Sequence, residues 1–149
     1  MSEHIVKSHN KNLLLYHLVC PAKYRKKVFT ETVEETLKVT CRGIEVRFEI
    51  NFLEIGADND HVHFLLQGVP TLAPYRIVQI VKTITSKEIQ RLHPEITALL
   101  WGGAIWTSGY YINTVGQYGN EDVIQKYVQN QGCENEYKKI HTGQLNLFC

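Results

Sequence analysis

Long apolar runs are absent from this chain of 149 residues. No stretch approaches the roughly 18 consecutive apolar residues that a transmembrane helix needs, so we expect no membrane span and no membrane partner. The first twelve residues are polar and lack the apolar core of a secretory signal peptide. Together these absences favour a cytoplasmic protein.

Paired cysteines and an excess of one charge are also missing. The four cysteines are scattered and form no CxxC pair, which argues against a zinc ribbon and favours free thiols. The formal net charge is +1, so the overall charge does not indicate a nucleic-acid binder. Any such role must depend on local basic patches.

The proportions of hydrophobic and charged residues are those of an ordinary globular protein. Hydrophobic residues make up 44% and charged residues 21% of the chain, which excludes global disorder and is enough for a single core. We predict one domain over residues 12–132, large enough to be a catalytic domain. A flexible N-terminal arm (1–11) and a polar C-terminal tail (133–149) would flank it.

Hydrophobic periodicity divides the first third of the chain. Residues 12–20 form an apolar run of strand length. Residues 30–42 predict a helix, with Thr30 as its N-cap and Gly43 at its C-terminal end. Residues 44–55 alternate between apolar and polar side chains, which predicts a half-buried strand.

The remaining elements complete an α+β pattern. Residues 56–60 predict a turn between the strand at 44–55 and a second one at 61–67, so that the two form a hairpin. A helix over about 73–92, a strand over 104–115 and a helix over about 121–131 follow. The order β-α-β-β-α-β is that of a ferredoxin-like antiparallel sheet with helices on one face, here with an additional C-terminal helix.

Two histidines on the predicted strand at 61–67 are candidate metal ligands. His61 and His63 are two residues apart and therefore project to one face, whereas Val62 and Phe64 project to the other. Two neutral imidazoles at this spacing can bind one divalent ion. An HxH pattern also arises by chance, so the spacing alone does not establish a metal site.

Tyr127 and Gln131 lie four apart on the predicted C-terminal helix, outside its apolar stripe. A neutral phenol is a poor nucleophile, but a nearby cation favours the phenolate and polarises a phosphodiester. An amide oxygen such as that of Gln131 is a suitable ligand for Mg²⁺ or Mn²⁺. Taken alone, a tyrosine on a terminal helix is more often a packing or surface residue.

Basic residues occur in two groups that could contact DNA phosphates. The first group follows the first strand and the second lies on the helix over 73–92. The members are Lys23, Arg25, Lys26 and Lys27, and Lys82, Lys87 and Arg91. Trp106, Tyr110 and Tyr111 are aromatic side chains that could stack on unpaired bases, although Trp106 is equally consistent with a core position.

The combination of motifs resembles a known family. HVH at 61–63 followed by YxxxQ at 127–131 is similar to the single-tyrosine HUH transposases of small bacterial insertion sequences, the TnpA type. The segments 16–29 and 106–116 resemble the first strand with its basic loop and the last strand of that family. The resemblance extends from about residue 12 to residue 131.

The resemblance implies a metal-dependent enzyme that cleaves and rejoins single-stranded DNA. His61, His63 and Gln131 would hold Mg²⁺ or Mn²⁺, and Tyr127 would attack a phosphate, giving a 5′-phosphotyrosine link and a free 3′-OH. Asp60 would either support a metal ligand or be a turn residue, and we favour the turn. The implied partners are DNA with hairpin ends and a second copy of the chain, in a homodimer whose tyrosine helix can complete the partner's active site.

Three other functions remain open at this point. A non-catalytic nucleic-acid-binding domain of the same topology, similar to an RRM, would leave the histidines and the tyrosine unexplained, and the chain has no RNP1-like string. A host-borne relative could act on repeated palindromes by the same chemistry. A metal-dependent hydrolase could use water in place of the tyrosine.

Overall fold

The computed structural model describes residues 3–116. Their elements in chain order are β1 (Ile5–Val6), β2 (Lys11–Asn12), β3 (Leu14–Pro21), α1 (Glu31–Arg47), β4 (Asn51–Ala57), β5 (His61–Gly68), α2 (Pro74–Leu92), α3 (Pro94–Leu99) and β6 (Tyr111–Val115), with a 3₁₀ turn at Lys23–Arg25. Strands β3 to β6 form one antiparallel sheet in the order β4-β5-β3-β6. This is the strand order of the ferredoxin-like arrangement, as predicted.

The main core lies between this sheet and helices α1 and α2. Alternate residues of β3 and β5 face the helices, and the corresponding face of each helix is apolar. The strand residues of this core include Tyr16, Leu18, Cys20, Val62, Phe64 and Leu66, and the helix residues include Val33, Leu37, Ile77, Val81 and Ile89. A smaller apolar cluster of Leu15, Leu65 and Val115 lies on the opposite face.

Helix α1 begins where the sequence predicts and ends later. The Thr30 hydroxyl accepts a hydrogen bond from the Val33 amide at 3.4 Å, which caps the helix. The predicted strand over 44–55 is wrong for its first part, because α1 continues to Arg47 and β4 begins only at Asn51. Gly43 is inside the helix, in open space, and does not end it.

The error at 44–47 has a physical cause. Alternation predicts that Ile44 and Val46 share a face, yet Ile44 is buried whereas Val46 is 87% exposed. The buried positions of α1 are spaced by three or four residues up to Ile44, which is the helical period. The helical contacts of Ile44 with the core therefore decide the conformation, and the local alternation does not.

The other described elements agree with the sequence in type and differ in their bounds. The hairpin of β4 and β5 and helix α2 lie where they are predicted. The short helix α3 is not predicted; Pro94 begins it instead of only ending α2. The last strand covers 111–115 rather than 104–115.

The approach to β6 is an irregular segment fixed by side chains. Trp106 pairs with Ala22 in an isolated bridge, stacks on Phe29 at 5.2 Å between ring centroids, and donates from Nε1 to Thr85 Oγ1 at 2.9 Å. Because Trp106 is 4% exposed, it is a core residue and not a surface on which bases stack.

The predicted N-terminal arm is an antiparallel ribbon over its described part. Strands β1 and β2 pair with each other, and Gln67 Nε2 donates to the Glu3 carbonyl at 2.8 Å. The domain boundaries at 11/12 and 132/133 stay predictions. None of the helices in residues 3–116 is long and apolar enough to cross a membrane.

Candidate metal and DNA-cleavage site

The two predicted ligands lie side by side on β5, on the sheet face away from α1 and α2. Val62 and Phe64 enter the main core, so His61 and His63 project to the other side, and their ring centroids are 5.0 Å apart. Both imidazoles are buried, at 8% and 1% exposure. Burial removes water that would compete for the ring nitrogens, which favours defined hydrogen bonds at each ring.

Asp60 orients the first histidine. Its Oδ1 lies 2.7 Å from His61 Nδ1, and its Oδ2 lies 3.2 Å from Arg25 Nε and from Arg25 Nη2. The hydrogen bond with His61, together with the charge of Arg25, holds the pKa of this carboxyl below its ordinary value. The sequence favoured a turn role for Asp60; its carbonyl does accept from the Ala22 amide at 2.8 Å, but its side chain belongs to the site.

His17 contacts the second histidine and was missed by the sequence analysis. It lies on β3, is fully buried, and its Nε2 is 3.0 Å from His63 Nδ1. The two rings are stacked, with 5.2 Å between centroids and 13° between planes. A signal for it exists, since His17 is a lone histidine in an apolar strand, but its contact depends on the β3–β5 register, in which Val19 is opposite His63.

These contacts suit one tautomer of each histidine. A neutral His61 that donates from Nδ1 to the ionised Asp60 carries a lone pair on Nε2. His63 does the same if it donates from Nδ1 to His17 Nε2. In these tautomers Nδ1 of each ring is held by a protein group and Nε2 carries a lone pair, which is the usual arrangement of metal-ligating histidines.

The donor set fits a divalent ion but is incomplete in the described residues. Imidazole suits first-row metals, and the Asp58 carboxylate adds negative charge 4.0 Å from His61 Nε2. Residues 3–116 contain no group of three or more His, Cys, Asp or Glu side chains that could hold a metal. A metal ion held by this histidine pair would take its third side-chain ligand of these types from outside residues 3–116. The predicted third ligand, Gln131, and the predicted nucleophile, Tyr127, lie outside the described residues.

The first basic group lies at the same end of the sheet as His61. Pro21, the last residue of β3, is opposite His61, and the 3₁₀ turn of Lys23–Arg25 follows directly. Arg25 is directed at Asp60, whereas Lys26 and Lys27 are exposed. This group can therefore place positive charge next to the histidine pair.

The three residues of the second basic group, on α2, lie in different environments. The Lys82 ammonium is half-buried, donates to the Thr107 carbonyl at 2.8 Å and lies 5.6 Å from the centre of the Tyr110 ring. Burial lowers its pKa. Arg91 makes a two-pronged ion pair with Glu88, and Lys87 is exposed. Lys82 thus holds the approach to β6, and its contact with DNA stays a prediction.

Comparison with known proteins gives the family. A family model described as "Transposase IS200 like" matches residues 10–131. The ISDra2 transposase TnpA of Deinococcus radiodurans is 32% identical over 118 residues, which cover 79% of this chain and 84% of the relative. The transposase for insertion sequence element IS200 of Salmonella typhimurium is 28% identical over 120 residues, covering 78% and 75% of the two chains.

Solved structures agree with the fold. A candidate transposase from Deinococcus radiodurans R1 has a TM-score of 0.69 at 27% identity, covering 85% of this chain and 97% of that one. A REP-associated tyrosine transposase bound to a REP hairpin has a TM-score of 0.59, covering 93% and 77%. At 13% identity the second likeness concerns the fold alone.

Proposed function

The chain belongs to the IS200-like transposase family, and we propose that it cleaves and rejoins single DNA strands with Tyr127 as the nucleophile. In this proposal His61, His63 and Gln131 hold Mg²⁺ or Mn²⁺. The observation that carries it is the buried histidine pair, in which each Nδ1 lies within 3.0 Å of a hydrogen-bonding atom of another side chain. Metal-ligating histidines are usually held in this way through their second ring nitrogen, and a nucleic-acid-binding domain that performs no chemistry gives no reason for such a pair.

The reaction is a transesterification. The Tyr127 hydroxyl gives up its proton to solvent as its oxygen forms a new P–O bond to the scissile phosphorus, the P–O3′ bond breaks, and the released 3′-oxygen takes up a proton from solvent. The DNA is left as a 5′-phosphotyrosine and a free 3′-OH. A 3′-OH from another strand reverses the same step, so that strands are exchanged with no external energy source.

The metal, when bound, neutralises charge on the scissile phosphate. The protein's own residues determine where the metal and the DNA backbone would bind. Asp60 and His17 hold the rings of His61 and His63, so the two ligands need little rearrangement when the site fills. The exposed Lys26 and Lys27 lie at the same end of the sheet and attract the DNA backbone.

The proposed substrate is single-stranded DNA with hairpins at its ends. This rests on the resemblance and on the fold shared with a tyrosine transposase that was solved with a REP hairpin. We also propose a homodimer in which the tyrosine helix can act in the partner's site. Mixing Tyr127→Phe and His63→Ala subunits tests this arrangement: recovered cleavage supports active sites shared between subunits, and an inactive mixture with proven heterodimers contradicts it.

A denaturing gel tests the chemistry. The protein is mixed with labelled single-stranded oligonucleotides from the ends of its native element, with Mg²⁺ or Mn²⁺. We expect a protein–DNA band that survives denaturation, requires metal and disappears in Tyr127→Phe. Tyr75→Phe, a change at an exposed tyrosine of α2, is the matched control and should leave the band intact.

The other outcomes identify the alternatives. Cleaved DNA with no adduct in the wild type or in Tyr127→Phe would indicate a hydrolase that uses water. Binding without cleavage on the correct end sequence would indicate a binding domain only. Cleavage of repeated palindromes in preference to the element's ends would indicate a host-borne relative with the same chemistry.

A further inference from the structure

Two exposed aromatic residues face each other beside the histidine pair's end of the sheet. Tyr24 is 58% and Trp101 82% exposed, and their ring centroids are 5.6 Å apart with 55° between the ring planes. Tryptophan is highly buried on average, so a ring this exposed next to a second exposed ring calls for an explanation. The other tryptophan, Trp106, is buried in the core.

The backbone at this aromatic pair is strained. Tyr24, Arg25 and Trp101 have φ values of 59°, 52° and 57°, which bulky L residues rarely adopt. They are the non-glycine residues with positive φ in the described part of the chain. The glycines after Trp101, at positions 102 and 103, also have positive φ, and a glycine at position 101 would adopt this φ without the strain that tryptophan has there. Strain of this kind concentrates at binding and catalytic sites.

Backbone and side-chain contacts fix the two aromatic loops to each other. The Lys23 amide donates to the Ile105 carbonyl at 2.8 Å, and the Lys23 ammonium lies 3.5 Å from the Gly102 carbonyl oxygen. The same ammonium is 5.2 Å from the centre of the Tyr24 ring. These contacts fix the two loops to each other, so both rings are held in place while their outer faces stay exposed.

The aromatic pair adjoins the site of proposed cleavage. Arg25 follows Tyr24 in the chain and contacts Asp60, which in turn contacts His61. Exposed Lys26 and Lys27 continue the same loop. Aromatic rings next to exposed cations are the features by which proteins hold single-stranded nucleic acid: the rings stack on bases and the cations attract phosphates.

We propose that Tyr24 and Trp101 form a stacking site for an unpaired base of single-stranded DNA, close to the phosphate that is cut. This inference rests on the proposed function for the identity of the ligand. Loss of one base–aromatic stack weakens binding by about 5- to 150-fold. The site contacts the face of the base, so it contributes affinity and position with little preference for sequence.

Tryptophan fluorescence reports directly on this site. The chain has two tryptophans, and Trp101 is the exposed one. We expect a single-stranded oligothymidine, added to the full-length protein in EDTA, to quench the Trp101 emission on binding. The Trp101→Phe variant keeps an aromatic ring, so it should lose the quenching and keep most of the affinity. A blunt duplex of equal length should quench far less.

Affinity measurements on alanine variants complete the test. Trp101→Ala and Tyr24→Ala should each bind the labelled oligothymidine about 5- to 150-fold more weakly. Tyr75→Ala, at a tyrosine of nearly the same exposure on α2, should bind within about twofold of wild type. The proposal is overturned if both alanine variants bind as tightly as wild type, or if wild-type emission does not respond to bound DNA.

The two proposals fail in different ways. A covalent Tyr127 adduct together with unchanged DNA binding in Trp101→Ala would refute the stacking site and leave the transposase chemistry intact. Wild-type protein that neither binds nor cleaves single-stranded DNA would refute both. If Trp101→Ala leaves DNA binding unchanged but converts a dimer to a monomer in sedimentation, the aromatic pair is a subunit contact instead.

Discussion

Replacing His17 by phenylalanine removes the hydrogen-bond partner of His63 Nδ1 while keeping an aromatic ring in the strand. The two nitrogens are 3.0 Å apart and both side chains are buried, so water cannot readily replace the lost partner. Loss of a residue that orients a metal ligand typically weakens metal binding 10- to 100-fold, which corresponds to about 1.4–2.7 kcal/mol. We expect the affinity for Mn²⁺ to fall by this factor.

Two further variants separate orientation from packing. The amide oxygen of His17→Gln reaches the position of the imidazole Nε2 and can accept from His63, whereas the shorter side chain of His17→Asn cannot. Glutamine should therefore recover most of the affinity and asparagine little of it. If His17 acted only through packing, the Mn²⁺ affinity of the glutamine variant would not exceed that of the asparagine variant.

Calorimetric titration of the metal-free proteins with MnCl₂ measures these affinities. Long-range ¹H–¹⁵N spectra of the wild type measure which nitrogen of His63 carries the proton, and we expect Nδ1. The reasoning is refuted if His17→Phe binds Mn²⁺ as tightly as wild type, or if the proton of His63 is on Nε2 and stays there when metal is added.

Three other predictions concern stability and reactivity. The free energy of unfolding in urea should be about 1 kcal/mol higher for Trp101→Gly than for Trp101→Ala. Both variants lose the ring, but only glycine tolerates the φ of 57° at this position. Equal free energies would show that the backbone at position 101 is not strained. Phe64→Ala should lower the free energy of unfolding by about 3–5 kcal/mol, since Phe64 is fully buried between the sheet and the helices; a loss below about 1 kcal/mol would place it outside the core. Burial raises the pKa of the Cys20 thiol to about 12, so iodoacetamide at pH 8 should modify it in urea but not in the folded protein, as read by peptide mass mapping; rapid modification of the native protein would argue against that burial.

The fold was predictable where one local pattern had no competitor. Strand β5 and helix α2 have a single periodicity each, and the structure places both where it indicates. Around Ile44 the strand and helix periods overlap, and only the contacts of Ile44 with the core decide between them. Those contacts involve residues far away in the chain, so the pattern of a short segment around Ile44 does not reveal them.

The candidate site was predictable in part for a similar reason. His61 and His63 are two residues apart on one strand, so their proximity is a local property. The contact between His17 and His63 joins residues 46 positions apart and depends on strand register, which the sequence does not specify by itself. The exposure of Trp101 likewise depends on a turn with positive φ that no local pattern identified.

The two edges of the main sheet differ in a way that limits how the sheet can grow. Edge strand β4 shifts register between Phe52 and Glu54, and such a bulge twists an edge away from further pairing. Edge strand β6 pairs with β3 in regular register over all five of its residues. Among the strands that the structure describes, β6 therefore offers the more regular edge to a strand of another copy. If two copies pair through β6, the described sheet ends at the bulged strand β4 on both sides, which disfavours further growth of the sheet by edge pairing.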